Sequence, residues 1–252
     1  MDRIDLNSDL GESYGPWTMG DDDAVLGIVS SANVACGGHA SDPETMLKTI
    51  LAAVDGKVRI GAHPGFADKE GFGRRRIPLT ARQMTTLVAA QVGALTGVAG
   101  LVGAEVGYVK IHGALANWAA AERWVAEAVL KGIVGAMSRP HVLAISGTAL
   151  HHLAKEQGVP VFAEVFADRG YMPNGQLAPR GTPGSMIHDA DEAAERMVQF
   201  LETGEMPTVE GGTVTLEAQS ICVHGDGPEA VAIARTLKSK LTSAGVSLAP
   251  FC

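Results

Sequence analysis

Six short apolar runs along the chain each break off into a cluster of polar, ionisable and glycine residues. They read Ile4-Asp5-Leu6-Asn7-Ser8-Asp9-Leu10-Gly11-Glu12, Ala32-Asn33-Val34-Ala35-Cys36-Gly37-Gly38-His39, Ile60-Gly61-Ala62-His63-Pro64-Gly65, Val109-Lys110-Ile111-His112-Gly113, Ala163-Glu164-Val165-Phe166-Ala167-Asp168-Arg169 and Ile221-Cys222-Val223-His224-Gly225-Asp226-Gly227. Together with the run at His141–Ser146 they predict seven strands, beginning at Arg3, Ala32, Val58, Gly107, His141, Val161 and Ser220. Helical periodicity fills the gaps at Asp42–Asp55, Ala81–Leu101, Ala114–Met137 (broken once), Thr148–Gln157, Ala190–Glu202 and Pro228–Ala244. Thr80-x-x-Gln83 and Ser41-x-x-Glu44 read as capping boxes, and Gly158 and Gly245 stand where helices end.

Strands alternating with helices imply a mainly parallel sheet covered on both faces. Seven strands fit a barrel with one unit missing or distorted, although an open doubly wound sheet satisfies the same alternation. Chemistry collected at strand ends is how such α/β enzymes build a site. Two connections, Pro64–Leu79 and Ala167–His188, are too long for plain loops and read as flaps over that face.

The 252 residues suit one domain, 1–252, and 46% hydrophobic content excludes a disordered chain. A net charge of −8 argues against nucleic acid or an anionic membrane as partner. No leader and no membrane-spanning run is expected. Three widely spaced cysteines without a CxxC pair suit reduced thiols, hence the cytoplasm.

The clusters supply candidate roles. Asp9, and alternatively Asp226, is the candidate general base, the bland reading of Asp9 and Glu12 being turn or helix caps. Asp9, His39 and His63 come from three successive strand ends and form a candidate divalent-metal set, without a recognised local motif. Lys110 inside an apolar strand needs a carboxylate partner, expected among Asp9, Glu164 and Asp226; there it polarises a carbonyl or forms a structural ion pair. His63 or His112 assists at the developing oxyanion. Arg169 is the leading candidate for gripping a substrate carboxylate, with Arg74–Arg76 as alternatives. Asn7, Glu12, Asn33, Glu164 and His224 complete the candidate substrate-binding set. No P-loop and no nucleophile elbow is present, and Cys36 and Cys222 read as core.

These clusters, in this order, resemble the LamB/YcsF family, that of the 5-oxoprolinase A subunits, over nearly the whole chain. The resemblance rests on Asp5 through Glu12, Ser31 through His39, Gly61 through Gly65, Gly71-Phe72-Gly73-Arg74-Arg75, Lys110 with His112-Gly113-Ala114-Leu115, Ala163 through Arg169, and Cys222 through Gly227. It implies a distorted seven-stranded (β/α) barrel, glycoside hydrolase- and deacetylase-like. It also implies ATP-coupled hydrolysis of 5-oxo-L-proline (pyroglutamate) to L-glutamate, with ATP used on two further subunits. Ser8 stands where that family usually has Cys, Gly38 where it has Phe, Ile111 where it has Pro and Ala116 where it has Tyr; the last three are expected to reshape the pocket wall.

The expected function is therefore a hydrolase subunit that opens a five-membered lactam. The alternatives are a metal-dependent deacetylase of an N-acyl sugar and a non-catalytic metabolite-binding regulatory subunit. Asp9→Asn and Lys110→Ala are expected to abolish turnover and to leave thermal unfolding close to wild type.

Overall fold

The chain alternates strand and helix as its periodicity requires, and the computed structural model describes residues 2–224 and 229–252. Six parallel strands follow in order: β1 (Arg3–Leu10), β2 (Ser31–Ala35), β3 (Arg59–His63), β4 (Tyr108–Lys110), β5 (Val142–Ile145) and β6 (Val161–Phe166). A small antiparallel hairpin, β7 (Glu205–Pro207) and β8 (Thr213–Thr215), stands apart. The next strand, β9 (Ser220–Cys222), pairs with β6 on one side and with β1 on the other. That double pairing closes a seven-stranded parallel barrel and excludes the open sheet. A terminal strand, β10 (Ser247–Leu248), adds to the start of β1.

Around the barrel run α1 (Asp22–Leu26), α2 (Pro43–Asp55), α3 (Ala81–Gly100), α4 (Gly113–Ala121), α5 (Arg123–Ala136), α6 (Ala149–Glu156), α7 (Ala190–Thr203) and α8 (Ala230–Ser243). The expected break falls at Glu122, between α4 and α5. Thr80 and Gln83 form the capping box that starts α3. At α2 the cap sits one residue later than expected: Asp42, not Ser41, accepts from the Thr45 N–H at 2.9 Å, and Pro43 takes the first helical position. The hairpin β7–β8 is additional to the expected strands; its two members are too short for periodicity to register.

Alternation along β1 explains the barrel's interior. Ile4, Leu6 and Leu10 are buried in the apolar core shared with the helices, where each large side chain contributes roughly 1.5–3 kcal/mol. Asp5, Asn7 and Asp9 point the other way, into the lumen. There Asp5 accepts from Ser31 at 2.6 Å and from Ser220, while Asn7 Nδ2 donates to Ser220 Oγ at 2.7 Å. A strand that reads as apolar-in and polar-out is thus buried on both faces. Register fixes the heights: Asp9 lies opposite Asn33, Lys110 opposite Leu143, and Glu164 opposite Ile145 and Ser220.

The two long connections are ordered walls on the strand-end face. The first folds back on α4, with His112 N donating to Pro64 O and Ala114 N to Gly73 O, both at 2.9 Å. The second buries Tyr171, whose hydroxyl accepts from Phe166 N at 2.9 Å. Among the described residues, no helix is long and apolar enough to cross a membrane.

Candidate functional site

The lysine in the apolar strand has found its carboxylates. Lys110 Nζ lies 2.8 Å from Glu164 Oε1 and donates to Asp9 Oδ1 at 3.0 Å, Asn7 Oδ1 at 3.2 Å and Cys222 Sγ at 3.0 Å. Three N–H groups facing four acceptors leave the ammonium no spare donor, so its reach into the cavity is through its charge. Burial penalises this ammonium, but Asp9, Cys222 and Glu164 outweigh the penalty and hold its pKa well above that of an ordinary lysine. Burial likewise raises the Asp9 carboxyl, and His63 and Lys110 reverse that, leaving it well below the usual carboxylate range. Burial prevails at Glu164, whose pKa is raised against the pull of Lys110. Asp9 is therefore the firmly ionised member of this group.

A second layer holds Asp9 in place. Asn33 Nδ2 donates to Asn7 Oδ1 at 2.7 Å and to Asp9 Oδ1 at 2.8 Å, and the Tyr108 hydroxyl donates to Asn33 Oδ1 at 2.6 Å. Tyr108 reaches Asn33 across Gly61; a Cβ there would sit 2.3 Å from the ring. A glycine inside a strand marks such a close approach, and that is the signal by which sequence reasoning, which missed Tyr108, could have found it.

Beside Asp9 stand three histidines. His63 Nδ1 is 2.8 Å from the Lys110 carbonyl, and His112 Nε2 is 2.9 Å from the Phe72 carbonyl. Carbonyls only accept, so those nitrogens carry the protons, and in the neutral rings His63 Nε2 and His112 Nδ1 are lone pairs. These lone pairs lie 3.0 Å apart, with Asp9 Oδ2 3.2 Å from the first and Glu12 Oε1 3.7 Å from the second. His39 Nε2 meets Glu12 Oε1 at 3.1 Å, its ring stacks on His112, and its Nδ1 is buried without a partner. Burial first, and then neighbouring histidines, hold His39 and His112 well below the usual imidazole range. Acceptors crowded in this way call for a cation between them. The ligand atoms of Glu12, His39, His63 and His112 lie within 4.8 Å of one another, a set that fits a divalent metal. This group shares His39 and His63 with the expected set and adds Glu12 and His112; Asp9 lies beside it, with Oδ1 on Lys110 and Oδ2 3.2 Å from His63 Nε2. Gly73, at φ +61°, brings the first long connection against this cluster, since a Cβ there would lie 2.7 Å from that of His39.

A cavity of about 610 Å³ opens above these groups. Asp9, His63, Lys110, His112 and Glu164 form its floor. Phe166, Arg74, Arg169, Arg180 and His224 contribute to its walls. Arg169 lines the cavity with part of its guanidinium already engaged. Its Nε donates to Ser185 O at 3.0 Å and its Nη2 to Ala178 O at 2.7 Å, so it pins the second long connection while lining the cavity. The arginine run divides: Arg75 pairs with Asp68, Arg76 lies over the Trp118 ring, and Arg74 faces the cavity. His224 is held by Asp168, a residue outside the expected set, at 2.8 Å. Asp226 lies outside the described residues. Of the departures from the family pattern, Ile111 and Ala116 do line the cavity. Gly38 does not; the Gln91 amide fills the space beside it, 2.3 Å from where a Cβ would stand. Ser8 donates to Val223 O at 2.6 Å, a bond that needs no thiol.

Comparison with known proteins agrees with this fold. The chain is 49% identical to the A subunit of 5-oxoprolinase from Nocardia farcinica, over 98% of this chain and 99% of that one. It is 37% identical to the solved lactam utilization protein from Thermus thermophilus, with a TM-score of 0.92 and coverage of 98% and 99% of the two chains. The catalytic domain of a peptidoglycan N-acetylglucosamine deacetylase from Eubacterium rectale shares the fold alone, at TM-score 0.50 and 10% identity over 99% of this chain and 88% of that one. A family model matches residues 4–252, and the chain belongs to the LamB/YcsF family.

Proposed function

We propose that this chain is the subunit of an ATP-dependent 5-oxoprolinase that opens 5-oxo-L-proline to L-glutamate, working in the cytoplasm with two further subunits that bind and use ATP. The observation that carries the reading is the Lys110 ammonium locked between Asp9 and Glu164 at the floor of the cavity. A lactam carbonyl is a poor electrophile, and its hydrolysis develops negative charge on oxygen. A fixed positive charge in a water-poor site stabilises that oxygen without reorganising. Asp9, kept ionised and held by Lys110 and Asn33, orients the attacking water or accepts its proton, with Asp226 the alternative base. Asn7 and Asn33 keep Asp9 and Lys110 in register, and Arg74 or Arg180 meets the substrate carboxylate.

Glu12, His39, His63 and His112 would hold a divalent metal, which when bound supplies a water more acidic than bulk water. That cluster favours, as a second reading, a metal-dependent deacetylase acting on an N-acyl sugar.

The test is glutamate release from 5-oxoproline by this chain alone and with its two presumed partners, each with and without ATP. Release only in the complete mixture with ATP supports the lactam reading. Chelator-sensitive release of acetate from an N-acetyl sugar by the chain alone, with no glutamate from the complete mixture, replaces it with the second.

A further inference from the structure

The cavity holds one histidine that belongs neither to the metal-type cluster nor to the Lys110 group. Strands β6 and β9 run in parallel register with Phe166 opposite Cys222. Two residues further on, the same register brings Asp168 beside His224. His224 Nδ1 lies 2.8 and 3.0 Å from the two Asp168 oxygens. Asp168 is buried, which raises its carboxyl, but the His224 and Arg169 charges outweigh this and hold it below the ordinary value. The ring of His224 packs on Phe166, and the Lys110 ammonium lies over that same ring at 5.1 Å. His224 therefore borders the same cavity as the Lys110 group, with Phe166 in contact with both. Its Nε2 faces Arg180 Nη2 at 3.4 Å; a guanidinium only donates, so in the resting ring Nε2 is a lone pair, which takes up a proton from solvent before it gives one.

The geometry points to His224, oriented by Asp168, as the acid that protonates the departing ring nitrogen; this rests on the lactam reading. Opening the ring breaks a C–N bond, and nitrogen leaves with the electron pair. An amide anion is not expelled into water near neutral pH, so a proton must arrive as the bond breaks, whether or not the carbonyl oxygen carries a phosphoryl group. Water oxygen bonds to the carbonyl carbon and one of its protons passes to the Asp9 side. As the tetrahedral adduct collapses, the C–N bond breaks and nitrogen takes the Nε2 proton of His224. Solvent returns a proton to His224, and the sum is one lactam and one water giving one amino acid. Asp168 is a positioning residue: it takes the Nδ1 hydrogen bond and so turns Nε2 to the cavity.

A merely structural His224 would tie two strand ends together and affect every substrate alike. The test uses leaving groups. Wild type, His224→Gln and Asp168→Asn are assayed in the complete complex on 5-oxoproline with ATP, and on the thiolactone of the same ring, whose thiolate leaves without a proton. His224→Gln is expected to lower lactam kcat by roughly 10²–10⁴-fold with KM little changed, and Asp168→Asn to lower it in the same direction. Thiolactone opening should stay within about fivefold of wild type, which also shows that each variant is folded. Equal losses on both substrates, or none on the lactam, overturn the proposal. A wild-type complex that releases no glutamate from 5-oxoproline instead overturns the lactam reading beneath it.

Discussion

The two histidine groups around the cavity are built from the same ring and oriented by opposite means. His63 and His112 give their outer protons to backbone carbonyls. A neutral carbonyl settles the tautomer without adding a full charge, and in the neutral ring the inward nitrogen is a lone pair, which at His63 lies 3.2 Å from Asp9 Oδ2. His224 gives its proton to a buried carboxylate. That partner holds Nδ1 and leaves Nε2 turned to the cavity, where the proposed proton transfer takes place. The orienting partner, not the histidine, decides between ligand and acid.

Lys110 joins the two groups, because its carbonyl orients His63 and its ammonium lies over the ring on which His224 packs. The comparison should therefore break hardest there. Lys110→Met leaves Asp9 and Glu164 buried without their cation, and breaking such a pair costs about 3–5 kcal/mol. Turnover should disappear and the urea midpoint should fall, in contrast to the unchanged unfolding expected from sequence. Adding Glu164→Gln should recover part of the stability. A midpoint equal to wild type would show that the ammonium is not the hub of this site.

Divalent-ion binding should separate the groups next. In calorimetric titration of the chelator-treated chain with zinc, His112→Ala should weaken binding by more than the roughly 10–100-fold typical of an outer-shell change. His224→Ala should leave zinc affinity as it is. If both variants, or neither, lose zinc, the division of roles drawn above is wrong.

How far the sequence carried this picture depends on which partners a residue needs. The strands were legible because their apolar runs end in polar clusters, and Lys110 was legible because an ammonium inside such a run must be paired. The closure was not, since it depends on β9 meeting both β6 and β1. Glu12 and His112 were read as separate contacts, because nothing local shows that residues 100 apart meet in one cluster; the 3.0 Å approach of His112 to His63 is a product of closure. For Arg169 the sequence pointed to the cavity, but not to the two backbone carbonyls that also hold its guanidinium. The hairpin β7–β8 did leave a mark, the Gly211-Gly212 turn between two short runs.

A smaller effect tests how tightly the first long connection is fitted to the lone-pair cluster. Gly73→Ala puts a Cβ against His39 and a side chain at positive φ. Strain of this kind costs about 1–3 kcal/mol. The loss should appear in urea unfolding together with weakened zinc binding, whereas alanine at Gly97, inside α3 with open space around it, should raise stability by about 0.5–1 kcal/mol and leave zinc binding as it is. Full stability in Gly73→Ala would mean that the connection can move away from the cluster at no cost.

The smallest expected effect concerns a third way of orienting the same ring. At His151 a backbone amide, that of Gly147, donates to Nδ1 at 3.2 Å, so that nitrogen is a lone pair and Nε2 carries the proton, 3.4 Å from Glu217. Burial, aided by Lys155, pushes this histidine down from 6.5 to about 4. The folded value lies below the unfolded one, so the unfolded chain takes up its proton first as pH falls. Stability from this residue is thus whole above about pH 6.5 and is lost towards pH 4, with a slope of at most about 1.4 kcal/mol per pH unit. Proton NMR should give His151 a midpoint near 4, and His151→Gln should flatten the stability profile over that interval. A midpoint at or above 6 would mean that Glu217, and not the amide, governs the ring. His151 would then belong with His224 as a carboxylate-oriented ring, and a carboxylate partner would no longer be enough to mark a histidine as an acid.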